Sequence, residues 1–263
     1  MKLYKNKEWL EKQYCELMNP VINIAENCGS TKDVIYKWVQ RFDLKRERVV
    51  SFRPRKYSLN ETFFKNINNE NKAYWLGFIA ADGGIRDRKG SRALAIELSI
   101  KDEKHLLKLK KNIGYSGPLY YKKARNSGGP SVMLQLASKK MVLDLAEYGI
   151  VENKTLTLNP PTNLRENLIR HWIRGMFDGD GSVSYNKDGY SRGQFFGTKS
   201  VIKFIVKNIP STKTVSKKKN CQGYYHSFTA TQKLYYYLYN NASTYLERKK
   251  MKFKMFKTSR KDG

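Results

Sequence analysis

The 263 residues carry 51 Lys and Arg against 23 Asp and Glu, a formal charge of +28 that calls for a polyanionic partner. A hydrophobic fraction of 40% is enough for a real core and excludes a wholly disordered basic tail. The longest apolar run, Trp75 to Ala81, has seven residues, well short of the ~20 that span a bilayer, and MKLYKNKEWL has no signal-peptide core. A soluble intracellular protein with no membrane partner is the expectation.

Cys15, Cys28 and Cys221 form no CxxC pair and are odd in number, which argues for reduced core thiols rather than disulfides or structural zinc. His105, His171 and His226 do not cluster and read as structural. The basic residues do cluster: Lys45 to Lys56, Lys217 to Lys219 and Arg248 to Lys261. Such clusters neutralise phosphates and release counterions, so nucleic acid is the leading partner.

In chain order, residues 1–43 read as a small all-α unit. Asn6 caps a helix carrying Trp9, Leu10, Tyr14 and Leu17, and Asn19-Pro20 opens a short second helix. Gly29 supplies a turn, and Ser30 to Asp33 suits a capping box before a third helix with Val34, Ile35, Trp38, Val39 and Phe42 at helical spacing. The pattern resembles a helix-turn-helix, with Thr31, Lys32, Lys37 and Gln40 on the DNA-facing side. Residues 44–70, with Arg53, Pro54 and Arg55, read as a basic linker along phosphates rather than a core element.

Beyond the linker the chain repeats itself. WLGFIAADGGI (Trp75–Ile85) and IRGMFDGDGSV (Ile173–Val183) share an offset of 98 residues, and the register still holds at Lys101 and Lys199. A repeat of this size means a duplicated domain, here residues 71–158 and 159–257, followed by a basic tail at 258–263. Each half reads αββαββα. In the first, strand Arg92–Ile100 is followed by helix Lys101–Ile113, strands Leu119–Lys123 and Ser131–Ala137, and helix Ser138–Tyr148. In the second, strands Ser182–Asn186 and Gly193–Gly197 precede helix Ser200–Asn208, strands near Lys213–Lys218 and Tyr224–Ala230, and helix Thr231–Asn240.

Each motif helix ends on Asp-Gly, Asp82-Gly83 and Asp180-Gly181, where glycine suits a left-handed closing residue. An aspartate in the last turn faces the negative end of the helix dipole, and a cation would resolve that misfit. Gly77 and Ala81, like Gly175 and Gly179, lie at i and i+4, small enough for two helix backbones to approach. Side by side, the helices would bring both carboxylates to one point, a hard oxygen site suited to Mg²⁺.

These two motifs resemble the paired signature of the LAGLIDADG homing endonucleases, in a single-chain form with an added N-terminal helix-turn-helix. The resemblance implies an α+β fold: two pseudo-symmetric halves forming a saddle on double-stranded DNA, with the motif helices at their interface. It implies metal binding, Mg²⁺ or Mn²⁺, by Asp82 and Asp180 with the carbonyls of Ala81 and Gly179. The earlier acidic position of the motif is Ala80 in the first copy and Asp178 in the second. The family places basic residues around the metals, and Lys101, Lys140, Lys199 and Lys233 are the candidates here.

A monomeric, intron-type endonuclease would then cut both strands of an asymmetric site, leaving short 3′ overhangs. Base readout falls to outward sheet residues: Arg86, Arg92, Glu97, Ser99 and Lys122 in the first half, and Tyr185, Arg192, Gln194 and Lys217 in the second. The competing readings are an RNA maturase acting on intron RNA and a non-cleaving DNA-binding regulator. A metal-nuclease triplet of Asp144, Glu152 and Lys154 is disfavoured because its first member lies in a predicted helix where a strand is required.

Overall fold

The computed structural model describes residues 2–17, 19–46, 55–88, 91–124, 129–185, 191–209, 214–216, 221–226 and 228–254. The chain divides into two compact units, Met1–Arg55 and Lys56–Gly263.

In the first unit, helix α1 (Lys7–Glu11) runs on through a π-type turn at Lys12–Glu16, and α2 (Val21–Asn27) and α3 (Lys32–Arg41) follow. The Asn6 side chain caps α1 by accepting the Trp9 N–H at 2.9 Å. Gly29 takes φ +55° in the turn between α2 and α3, a conformation that costs glycine least. Leu10, Ile24, Ala25, Ile35, Val39 and Leu44 form a separate small core. Two capping expectations shift. Pro20 is itself the N-cap of α2, and Thr31 caps α3 without a side-chain bond. The unit also extends past residue 43. Arg46 stacks 4.0 Å from the Tyr14 ring centre and donates to the Tyr14 and Asn19 carbonyls.

The second unit is α+β. Helix α4 (Glu70–Asp82) leads to β1 (Gly83–Arg88), β2 (Ser91–Ser99), a 3₁₀ turn at Ile100–Asp102, α5 (Glu103–Asn112), β3 (Tyr120–Lys122), β4 (Ser131–Ala137) and α6 (Lys139–Ala146). After a 3₁₀ turn at Lys154–Leu156 the order recurs as α7 (Glu166–Asp180), β5 (Ser182–Tyr185), β6 (Ser191–Gly197), α8 (Lys199–Asn208), β7 (Thr214–Ser216), β8 (Cys221–His226) and α9 (Phe228–Tyr239). A further helix, α10 (Glu247–Lys254), follows. The two sheets are antiparallel with matching orders, β1-β2-β4-β3 and β5-β6-β8-β7.

Strand alternation puts Leu94, Ile96 and Leu98 with Val132, Leu134 and Leu136 on the core face of the first sheet, and Val183 with Phe195 on that of the second. At the centre α4 packs along α7. Both are buried on nearly all sides, as suits helices that form the middle of a core. A methyl group built on Gly77 would fall 2.0 Å from the Trp172 carbonyl oxygen, and one on Gly175 2.1 Å from that of Tyr74. The two helix backbones therefore touch, and only glycine admits it.

The stretch expected as a linker, 44–70, differs in its second part. Phe63, Phe64 and Ile67 are buried in the main core, and Ser58 and Asn60 bond to the Gly114, Ser116 and Ile113 segment. Three apolar residues around one turn make too short a pattern for periodicity to reveal. The last strand also ends earlier than expected. Pairing of His226 with Arg192 and Cys221 with Gly197 sets its length, so Phe228 to Ala230 join α9. The tail at 258–263 lies outside the described residues.

Candidate active site

Helices α4 and α7 end side by side. A methyl group on Gly179 would lie 2.3 Å from the Ala81 Cβ and 3.4 Å from the Asp82 carboxyl carbon, so the terminal aspartates share one location. Burial, and then the charge of Asp180, push the Asp82 carboxyl up to about 6, against the pull of Lys249 and Lys154. Asp180 is the more open of the two. Desolvation by the surrounding helix ends raises it in the same direction, opposed by the same two lysines. Among the described residues no group of three or more His, Cys, Asp and Glu side chains comes together, so an oxygen site here rests on two carboxylates and nearby carbonyls.

The glycines that follow do not take the left-handed conformation expected of them. Gly83 and Gly181 are extended, with φ of −79° and −71°. Glycine is required for space: a methyl on either would lie 2.6 Å from the carbonyl oxygen of Ile79 or Phe177 in its own helix.

Two buried lysines, neither among the sequence candidates, close the helix ends. Lys154 Nζ donates to the Gly83 carbonyl at 2.5 Å and reaches that of Ala81 at 3.5 Å. Lys249 Nζ donates to the carbonyls of Gly179 at 2.6 Å and Phe177 at 2.8 Å. Cations are favoured at exposed C-terminal carbonyls, and here they also face the two aspartates. Burial lowers the proton affinity of both, Lys249 to about 8, while the carboxylates act to keep them charged.

A sequence signal for the pair existed. Val151-Glu152-Asn153-Lys154 and Leu246-Glu247-Arg248-Lys249 match as apolar-Glu-x-Lys, 95 residues apart, close to the 98 of the motif repeat. A connection three residues shorter hides the match from a fixed offset. Lys154 thus joins the site by a route unrelated to the rejected triplet, whose Asp144 sits in helix α6.

The solved structures similar to this chain include the LAGLIDADG meganuclease I-AabMI bound to uncleaved DNA, at 17% identity and a TM-score of 0.50 over 72% of this chain and 89% of that one. A lysine-to-alanine mutant of I-SmaMI matches at 14% identity and 0.50, with the same coverage of 72% and 89%. The chain has the LAGLIDADG fold. The N-terminal LAGLIDADG domain of DUF199/WhiA is also found, at 15% identity and a TM-score of 0.44 over 72% of this chain and 91% of that one. Neither a family model nor a curated protein matches the sequence.

In α7 Asp178 is fully buried and serves the protein itself. It accepts the hydroxyls of Tyr74 (2.8 Å) and Tyr239 (2.6 Å) and the Leu246 N–H (2.7 Å), three residues before Lys249. Ala80, its counterpart, is buried among apolar neighbours. His105 bonds to the Tyr74 hydroxyl at 2.9 Å, and His171 lies against Arg174 at 3.0 Å, both structural positions.

Lys101, Lys140 and Lys233 are exposed, and the leading positive charges on Asp82 and Asp180 are those of Lys249 and Lys154 instead. Lys199 lines a cavity of about 430 Å³ together with Lys154 and Asp180. On the first sheet Arg86, Glu97, Ser99 and Lys122 stand on the face away from the core, where Lys122 pairs with Glu97 at 2.5 Å. Lys122, then Ser131, hold the Glu97 carboxyl below its ordinary range. Arg92 does not join them: it shares strand parity with Leu94 and so belongs to the opposite face.

On the second sheet Arg192 and Gln194 alternate with the buried Gly193 and Phe195 and fall on the outward face. Arg53, Lys217 and the Tyr185 side chain lie outside the described residues. In the first unit Thr31, Lys32, Lys37 and Gln40 are exposed along α3, and Arg55 is exposed. No helix among the described residues is long and apolar enough to cross a membrane.

Proposed function

We propose that this protein is a monomeric, site-specific endonuclease that cuts both strands of a long asymmetric DNA target by metal-dependent phosphodiester hydrolysis. The observation that carries this reading is the pairing of Asp82 and Asp180 at adjoining helix ends, each end closed by a buried lysine. The donor set fits a hard divalent cation. Asp82, whose proton affinity burial and the Asp180 charge raise, lies with Asp180 beside the carbonyls of Ala81 and Gly179, an all-oxygen donor set of the kind a hard cation takes. When bound, Mg²⁺ or Mn²⁺ supplies an activated water and neutralises charge on the phosphorane.

The residues of the chain do the rest. Lys154 and Lys249 present fixed ammonium groups at the two centres, aimed where negative charge develops on phosphate oxygens. Outward residues of the sheets, Arg86 and Lys122 on one and Arg192 and Gln194 on the other, read base edges. Because those sets differ, the site is asymmetric. Thr31, Lys32, Lys37 and Gln40 on α3 extend contact to the flanking duplex in the manner of a helix-turn-helix.

The test is cleavage of a randomised duplex library with Mg²⁺ by wild type, Asp82→Asn and Asp180→Asn, with the cut ends sequenced. Discrete double-strand cuts by wild type, nicks by either single variant and no cuts by the double variant are expected. Tight, salt-sensitive binding without cutting would instead favour a regulator or an RNA maturase.

A further inference from the structure

The internal repeat relates Lys154 to Lys249, yet their surroundings differ. Arg248 precedes Lys249, while Asn153, in a left-handed conformation with φ 56°, precedes Lys154. The Arg248 guanidinium lies side-on to Asp102, with Nε 3.1 Å from Oδ1 and Nη2 2.8 Å from Oδ2. Asp102 is buried, whereas the Arg248 side chain is 53% exposed, and its Nη1 makes no bond among the described residues. The bonds that the guanidinium donates to Asp102, and to a smaller extent the charges of Asp178 and Asp82, hold it protonated.

Ninety-eight residues on from Asp102 stands Ser200. It offers no carboxylate to clamp a guanidinium side-on, and donates to the Asn159 side chain at 2.9 Å. There the start of α8 and the Lys154 turn border the open cavity of about 430 Å³. One centre therefore has a clamped, half-exposed arginine, and the other has a cavity with the exposed Lys199 at its edge.

We infer that Arg248, held side-on by Asp102, binds a phosphate oxygen of the DNA strand at the Lys249 centre, and that this strand is cut first. The inference rests on the endonuclease reading. A guanidinium whose carboxylate partner already fixes its plane keeps its remaining N–H groups oriented before DNA arrives, and such donors lose least on binding. The Lys154 centre lacks that donor, so its strand follows. Asp102 is the positioning residue.

Strand-resolved, single-turnover cleavage of a plasmid carrying the recovered site tests this, with one strand assigned to each centre by which lysine-to-methionine variant slows it. Wild type should pass through a nick in the Lys249 strand. Arg248→Ala should slow that strand at least tenfold and leave the other within about twofold, removing a donor of a kind worth ~10²–10³ when fully preorganised. Arg248→Lys should rescue little. Asp102→Ala should slow the same strand and add nothing in the Arg248→Ala background. A partly unfolded preparation lowers amplitudes on both strands and leaves the rate constants alone.

Binding without divalent metal gives an independent readout. A neutral methylphosphonate in place of the scissile phosphate should weaken wild-type binding more on the Lys249 strand, and Arg248→Ala should erase that difference. Cutting with no strand order, or equal slowing of both strands by Arg248→Ala, overturns the inference while leaving the endonuclease reading intact. A wild type that never cuts overturns both.

Discussion

Gly77 and Gly175 occupy reciprocal places in the central helix pair: each faces the carbonyl of the residue three positions before the other, Trp172 and Tyr74. A side chain of any size at either position must part the helices. Gly77→Ala should cost about 3 kcal/mol or more, at the upper end of overpacking penalties. For a unit of this size that corresponds to a fall in Tm of roughly 6–12 °C. Thermal unfolding followed by circular dichroism checks it, and a melting point within a degree or two of wild type would refute the backbone contact.

A second prediction concerns Arg174, fully buried in α7. Its guanidinium donates to Glu70 at the start of α4 (2.7 Å) and to the Thr244 carbonyl (2.8 Å), while Glu70 also accepts the Ser243 N–H. Removing one partner leaves the charge of the other uncompensated. Arg174→Met should therefore destabilise by ~3–5 kcal/mol. The double variant Glu70→Gln/Arg174→Met should be more stable than Arg174→Met alone. Urea denaturation of the four proteins gives the coupling, and strictly additive losses would argue against the pair.

The buried His105 predicts a pH dependence. Burial, then the charge of Lys108, hold the imidazole down to about 3 from its usual 6.5. The unfolded chain binds that proton below about pH 6.5 and the folded chain does not, so the contribution is whole above 6.5 and is lost as pH falls toward 3. The limiting slope is ~1.4 kcal/mol per pH unit. His105→Gln should flatten the stability curve between pH 6.5 and 4 relative to wild type. Parallel curves for the two proteins would contradict a neutral, buried His105.

The lysines separate by position. Lys154→Met and Lys249→Met should each slow cleavage of one strand by ~10²–10³, the effect of losing a preorganised donor. Their DNA affinity should change little. Lys140→Ala and Lys233→Ala, at exposed sites on α6 and α9, should stay within about threefold of wild type. Single-turnover assays on a mapped target check all four. A Lys140 or Lys233 variant as impaired as Lys249→Met would move the chemistry elsewhere.

Much of this protein was written locally in its chain. The 98-residue repeat, the small residues Gly77, Ala81, Gly175 and Gly179, and the terminal Asp82 and Asp180 specify a duplicated αββαββα domain with two acids at adjoining helix ends. Such features survive in sequence because helix contact and strand alternation impose fixed spacings. Lys154, Lys249, Asp102 and Arg248 reach the site only through tertiary packing. Asp102 and Arg248 are 146 positions apart, and no periodicity relates a 3₁₀ turn in one half to a helix start in the other. Among 51 Lys and Arg, composition cannot mark the two whose ammonium groups are buried against helix-end carbonyls. Desolvation and charge separate those two from the rest, and both are properties of the folded interior.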